Sequence, residues 1–310
     1  MIFLFFSDLH IKKNELTECS LVLNEILELC NKHNVEAVYD LGDTFDKINP
    51  ESECLDLFAG FIKKLNRPLL ILAANSHEST TTEKSIVNHF GILHPKTMIQ
   101  KEYNDENHLY LGHFIVNEST KNYGGSVSKS DLAKYKHVIL GHGHSHEIIK
   151  PNICQLGSCR YIDFGESKDE AKYVGLCSDY KTQYEKWTFV KLNSCYKMQD
   201  VIIEQKDVAV SSGKESQAGD KLDALNSVSE NTKIRVIFKD FDSYYSRIDE
   251  LEQFKYKFAL FQIKKDFLVL DNALIKAKTE TVSLKDSLTI YLDKNKVNED
   301  IKQILLEEMR

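Results

Sequence analysis

Apolar and polar positions alternate along this chain in blocks that predict secondary structure before any chemistry is considered. Ile2 to Ser7 is an apolar run of strand length. Leu16 to His33 carries Leu16, Val22, Ile26 and Cys30 at helical spacing and predicts an amphipathic helix. Val35 to Leu41 predicts a second strand, Pro50 to Leu65 a second helix with Pro50 near its first turn, and Pro68 to Ala74 a third strand. The order strand, helix, strand, helix, strand predicts an α/β domain.

Further along, Glu83 to Leu93 predicts a helix, His108 to Val116 a strand, Tyr123 to Ser130 a Gly/Ser loop and His137 to Leu140 a short strand. Short strands dominate from Lys150 to Leu192, which predicts a second sheet and a sandwich of two sheets with outer helices. Asp207 to Glu230 is polar and reads as a linker or long loop. Lys233 to Phe238 (strand), Tyr244 to Phe258 (helix) and Ala259 to Ile263 (strand) form a small α+β unit. Ser283 to Arg310 reads as two short amphipathic helices. One carries Leu284, Leu288, Tyr291 and Leu292, the next Val297, Ile301, Ile304, Leu305 and Met309. Those stripes suit packing on their own domain or docking a partner helix.

The chain has 310 residues, which favours two domains or one domain with an appendage. A net charge of −7 argues against nucleic-acid binding by surface charge alone. Seven scattered cysteines cannot all pair within one chain, and none forms a C-x-x-C motif, so reduced thiols in a cytoplasm are expected. The first apolar run is too short for a signal peptide and lacks a basic n-region, and nothing reaches membrane-spanning length.

Candidate chemistry gathers where strands end. The first strand runs into Asp8-Leu9-His10, and strand alternation turns Asp8 and His10 to one side. The second runs into Gly42-Asp43-Thr44-Phe45-Asp46, where Gly42 permits a tight turn that projects Asp43. The third runs into Asn75-Ser76-His77-Glu78. Asp-x-His alone reads as a surface turn; its recurrence at successive strand ends points to a site at the carboxyl edge of the sheet. His113, inside an apolar run, reads alone as a core histidine. After His137 to Leu140, alternation puts His142, His144 and His146 on one side.

Asp8, His10, Asp43, Asn75, His113, His142 and His144 are too many donors for one tetrahedral ion. They suit two cations sharing a carboxylate, with Asp43 as the bridge. Imidazole and carboxylate without thiolate favour manganese, iron or zinc over calcium. Such cations, roughly 3.5–4 Å apart, acidify a water and neutralise phosphate. His77, close to this set, is the candidate general acid.

In this order, Asp8-x-His10, Gly42-Asp43-x-x-Asp46, Asn75/His77, Gly112-His113 and Gly141-His142-x-His144 resemble the calcineurin-like metallophosphoesterases. Leu156-Gly157-Ser158 and Asp163-Phe164-Gly165-Glu166, followed by Lys172 and Gly175, resemble one branch, the SbcD-type exonuclease subunits of double-strand-break repair and their phage homologues. The resemblance covers residues 1 to 178. It implies a four-layer α-β-β-α sandwich with a small α+β capping domain and C-terminal helices. It implies two divalent cations, manganese first, with iron, zinc or magnesium as alternatives, and cleavage of DNA phosphodiesters. Asp46 joins His77 as a candidate catalytic residue. The implied partner is an SMC-like ATPase of the SbcC type, docked on the C-terminal helices of a homodimer within a heterotetramer. The expected domains are residues 1–206 (metallophosphoesterase), 207–230 (linker), 231–282 (cap) and 283–310 (docking segment).

One motif departs from the family. The third reads Gly-Asn-His-Asp/Glu there, and Ala74-Asn75-Ser76-His77-Glu78 here. Asn75 or Ser76 takes the ligand position; a serine hydroxyl is a poor ligand at neutral pH, which favours Asn75. The one-residue shift turns His77 to the other face unless the strand end bulges. A phosphoesterase acting on phosphoproteins or nucleotides, and a weakly catalytic scaffold, are the alternatives to the nuclease.

Overall fold

A computed structural model describes residues 1–73, 86–93, 95–105, 108–122, 124–178, 186–203 and 224–266. The chain divides into two units, Met1–Tyr196 and Lys197–Arg310. In the first unit, the strands are β1 (Ile2–Phe6), β2 (Ala37–Asp40), β3 (Leu69–Leu72), β4 (Thr97–Gln100), β5 (Tyr103–Asp105), β6 (Leu109–His113), β7 (His137–Gly141), β8 (Glu147–Lys150), β9 (Ile153–Gln155), β10 (Tyr173–Ser178) and β11 (Lys186–Lys191). Its longer helices are α1 (Leu16–Lys32) and α2 (Ser52–Leu65).

Among the described residues these strands form two sheets, in the orders β11-β10-β1-β2-β3-β4 and β5-β6-β7-β9-β8. β1 to β4 run parallel, and β6, β7 and β9 run parallel in the other sheet. The apolar runs are continuous rather than alternating because the first sheet is buried on both faces. Leu4, Phe6, Val38, Leu69 and Ile71 pack with Val22, Ile26, Phe58 and Ile62 of α1 and α2. Phe5, Tyr39, Leu70 and Leu72 point the other way, onto Leu109, Leu111, Ile139 and Cys154 of the second sheet. Fully burying each such side chain contributes about 1.5–3 kcal/mol.

Helix, sheet and sheet are thus three of the four expected layers. The outer face of the second sheet, with Tyr110, Val138, Leu140 and Ile153, is covered by Val116, Leu132 and Tyr135. These come from the connection between β6 and β7, which forms turns and no helix among its described residues. These turns agree with the Gly/Ser loop expected in that connection, and its described residues supply no outer helical layer. α2 begins at Ser52, with Pro50 ahead of it, and β6 stops at His113 rather than Val116.

In the second unit, Met198–Ile203, Lys233–Phe238 and Leu260–Lys265 form a parallel three-stranded sheet. Ile203, Ile234, Val236 and Phe238 pack on Leu251, Phe254 and Phe258. The helix spans Phe241–Leu251, and the Asp240 side chain caps it by accepting from Ser243 N at 2.8 Å. The division after Tyr196 falls ahead of the expected boundary at 206 because Met198–Ile203 pairs with Lys233–Phe238. Most of the linker and all of residues 283–310 lie outside the described residues.

Candidate metal centre

Six of the seven expected ligands converge where the parallel strands of the two sheets end. Asp8 and His10 follow β1, Asp43 follows β2, His113 closes β6, and His142 and His144 follow β7. The sites of open α/β sheets lie at these carboxyl ends. One nitrogen or oxygen from each of Asp8, His10 and His144 lies within 4.8 Å of the other two, and the same holds for Asp43, His113 and His142. Asn75, Ser76 and His77 lie outside the described residues.

The means of convergence differs from strand alternation. β1 ends at Phe6 and β7 at Gly141, so the ligands stand beyond the pleat. Asp8 (φ 51°), His10 (φ 46°), Asp43 (φ 50°) and His142 (φ 77°) all take left-handed backbone. Each such residue costs about 1–3 kcal/mol and persists only where its surroundings hold it. Here the two loops are laced together: Asp8 N donates to Gly42 O (3.0 Å), His10 N to Asp43 O (2.9 Å) and Ile11 N to Thr44 O (2.9 Å). The buried Asp40 carboxylate accepts from Gly42 N (3.1 Å) and Thr44 Oγ1 (2.7 Å). Burial raises its pKa to about 7. Arg160, fully buried, donates to Leu9 O and His10 O, both at 2.6 Å, and pairs with Glu15 and Glu18. Sequence reasoning missed Asp40 and Arg160. Asp40, an acid at the end of an apolar run, had a signal; Arg160 had none.

Asp43 faces both halves of the site. Its Oδ2 lies 3.7 Å from His10 Nε2 and 3.2 Å from His113 Nε2. Asp8 Oδ1 lies 4.0 Å from each of those nitrogens, while its carboxylate also accepts from His142 N and from Ser7 Oγ. His113 Nδ1 sits 2.7 Å from Leu41 O, which can only accept, so Nδ1 carries the proton and Nε2 turns its lone pair toward Asp43. A lone pair facing a carboxylate at 3.2 Å requires a cation or a second proton between them. Burial opposes the charged imidazole, but Asp43 and Asp8 outweigh it and raise the His113 pKa to about 9. The donor set, carboxylate and imidazole without thiolate, fits a divalent cation such as manganese, iron or zinc.

Asp46 stands behind His10 and outside both ligand groups. Its Oδ1 is 3.6 Å from His10 Nδ1 and 3.2 Å from Lys12 Nζ. Burial raises its pKa, but His10 and Lys12 more than offset this and hold it at about 2. His146 departs from the expected row of three imidazoles. Its Nδ1 is 3.0 Å from Leu156 O, and its ring packs 4.6 Å from Phe189 and 5.0 Å from Tyr173.

Fold and site together define a candidate centre for divalent cations, built of carboxylates and imidazoles at the strand ends. Residues 1–187 match the calcineurin-like phosphoesterase family, and the chain belongs to it. No curated protein matches the chain. Similar solved structures include the protein TT1561 of Thermus thermophilus, 12% identical with a TM-score of 0.35, covering 61% of this chain and 99% of that one. The Pseudomonas putida nuclease MPE is 15% identical with a TM-score of 0.35, covering 58% and 85%. The hypothetical protein PH1004 of Pyrococcus horikoshii is 10% identical with a TM-score of 0.37, covering 62% and 88%. Among the described residues no helix is long and apolar enough to cross a membrane.

Proposed function

We propose that this chain is the nuclease subunit of a DNA double-strand-break repair or recombination machine, using two manganese ions to hydrolyse DNA phosphodiesters. The observation that carries the two-cation reading is Asp43 Oδ2, set between His10 Nε2 and His113 Nε2. Asp8, His10 and His144 would hold one ion, and His113 and His142, completed by Asn75, the other, with Asp43 between them. Bound there, the pair supplies Lewis acidity toward the phosphoryl group and an activated water. The left-handed loops hold the ligands in place before substrate arrives, so little reorganisation is spent on binding. His77 is the proposed donor of a proton to the leaving oxygen. Asp46 orients His10 through its Nδ1.

The choice of DNA rests on the Leu156-Gly157-Ser158 and Asp163-Phe164-Gly165-Glu166 resemblance to SbcD-type subunits. The net charge of −7 favours an SMC-like ATPase partner that holds the duplex. The full chain with manganese, assayed on linear duplex DNA, a phosphopeptide and a cyclic nucleotide, tests the reading. DNA cleavage that chelation abolishes is expected; hydrolysis of the phosphopeptide or cyclic nucleotide alone would overturn it.

A further inference from the structure

The histidines of the two ligand groups are held in different ways. His113 Nδ1 faces a neutral backbone carbonyl, Leu41 O, at 2.7 Å. His144 Nδ1 faces a carboxylate, Glu166 Oε1, at 3.0 Å. Glu166 is itself buried, and both of its oxygens are engaged. Oε1 also accepts from Ile162 N (3.2 Å) and Asp163 N (3.1 Å). Oε2 accepts from Ser158 Oγ (3.0 Å) and from the ammonium of Lys172. Lys172, 2% exposed, also reaches His144 O (3.1 Å) and Asp169 Oδ2 (2.8 Å).

This network closes on one short stretch of chain. Glu166 sits in the 3-10 turn Phe164–Lys168, whose capping box joins the Asp163 side chain to the turn and the Glu166 side chain back to Asp163 N. Ser158 N donates to His144 O at 2.9 Å, which ties the ligand's own backbone to the same unit. A carboxylate fixed by four donors besides the histidine has no freedom to turn away from the imidazole. It can only accept, so it places a proton on His144 Nδ1 and leaves Nε2 for a cation. The other acid near this nitrogen, Asp163 Oδ2 at 3.7 Å, is 63% exposed and is the weaker contact.

We infer that Glu166, anchored by Lys172 and Ser158, is a positioning residue that fixes the tautomer and orientation of His144 and so supports the Asp8–His10–His144 cation site selectively. Carboxylate partners of metal-bound histidines raise ligand basicity, and their removal typically costs 10–100-fold in metal affinity. Glu166 belongs to neither the Asp43, His113 and His142 group nor its hydrogen bonds, so the loss falls on one site of two. Glu166→Gln keeps the volume and an acceptor oxygen but removes the charge, while Lys172→Met removes the anchor and leaves the carboxylate.

The test is a manganese titration of the full chain, followed by isothermal calorimetry and by the spectrum of free manganese, on wild type and both variants. The inference expects two binding steps in wild type, one weakened roughly 10–100-fold in Glu166→Gln and the other unchanged. Equal weakening of both steps, or unchanged binding with a lowered melting temperature, overturns it and leaves Glu166 a structural residue. A measurement on wild type removes dependence on how the variants fold. Nitrogen-15 NMR of the zinc-loaded chain should find the His144 proton on Nδ1; a proton on Nε2 overturns the inference. The inference rests on the two-cation reading. Wild type that binds no cation would defeat that reading itself, whereas two cations indifferent to Glu166 would defeat the inference alone.

Discussion

Asp43 Oδ2 stands 3.2 Å from His113 Nε2, so a loop from one sheet meets the last residue of a strand in the other. The pair spans the sandwich, and its distance depends on how closely the two sheets pack around it. Gly141 sits at a tight point. A Cβ placed there would clash first with Ser7 Oγ and would also come within 2.8 Å of both His113 Nδ1 and Leu41 O, the two atoms that set the His113 tautomer.

Gly141→Ala should therefore displace Ser7, which donates to Asp8, and His113 rather than merely crowd the core. Overpacking of this kind costs about 1–3 kcal/mol. The expected result is a lower melting temperature together with loss of one of two bound cations. A variant that melts lower and still binds both cations would show that His113 tolerates the shift.

Arg160 holds the backbone on which His10 sits. Arg160→Met fills similar space but leaves Glu15 and Glu18 without their buried cation and Leu9 O and His10 O without this donor. Breaking a buried charge network by removing one partner costs about 3–5 kcal/mol, which urea denaturation would measure. Arg160→Lys should not restore stability, because one ammonium cannot span two carbonyls and two carboxylates in the guanidinium's fixed geometry. A lysine variant as stable as wild type would contradict this account of the loop.

Glu25 ties α1 to the turn after β11. Its carboxylate accepts from Asn193 N, Ser194 N and Ser194 Oγ. Burial raises its pKa, but these hydrogen bonds outweigh that and leave it below the ordinary value. A depressed folded pKa contributes stability above the unfolded value, about 4.3, that is lost as pH falls through the folded one. Wild type should exceed Glu25→Gln in stability at about pH 6, and the gap should close as the pH drops below about 4. A gap that stays constant across that range would show that the charge of Glu25 does not matter.

Residues 283–310 carry the proposed contact with an ATPase. Deleting them should leave a folded, manganese-binding chain that still hydrolyses a small phosphodiester. Capture of the SMC-like partner and ATP-stimulated digestion of long duplex should be lost. A thermal melt showing that the truncated chain unfolds would instead assign both apolar stripes to its own core.

The clustering of most candidate ligands was legible because they follow apolar runs, and apolar runs of strand length locate strand ends. Asp8, His10, Asp43, His142 and His144 follow this rule and converge; His113, inside its apolar run, joins them although its own pattern reads as a core histidine. How they converge was not legible. Alternation predicts a face only while the strand lasts, and Asp8, His10, Asp43 and His142 stand past the ends of their strands in left-handed backbone. His146 shows the same limit: its expected place beside His142 and His144 assumed an extended chain. Arg160 was invisible because its partners, Leu9, His10, Glu15 and Glu18, lie far away in the sequence, and local pattern carries no such pairing. The turn layer over the second sheet escaped for another reason. Val116, Leu132 and Tyr135 cover that face from irregular positions without helical period. Met198–Ile203 pairs with Lys233–Phe238, a neighbour that a strand's apolar pattern does not name.

The central claim is that Asp43 bridges two cations used in phosphodiester hydrolysis. Counting manganese bound per chain in wild type and in Asp43→Ala, with hydrolysis of a phosphodiester on the same samples, tests it most directly. The account predicts about two equivalents in wild type. In Asp43→Ala it predicts fewer, with activity lost more completely than for any other single ligand. An Asp43→Ala variant with wild-type manganese content and turnover would contradict it.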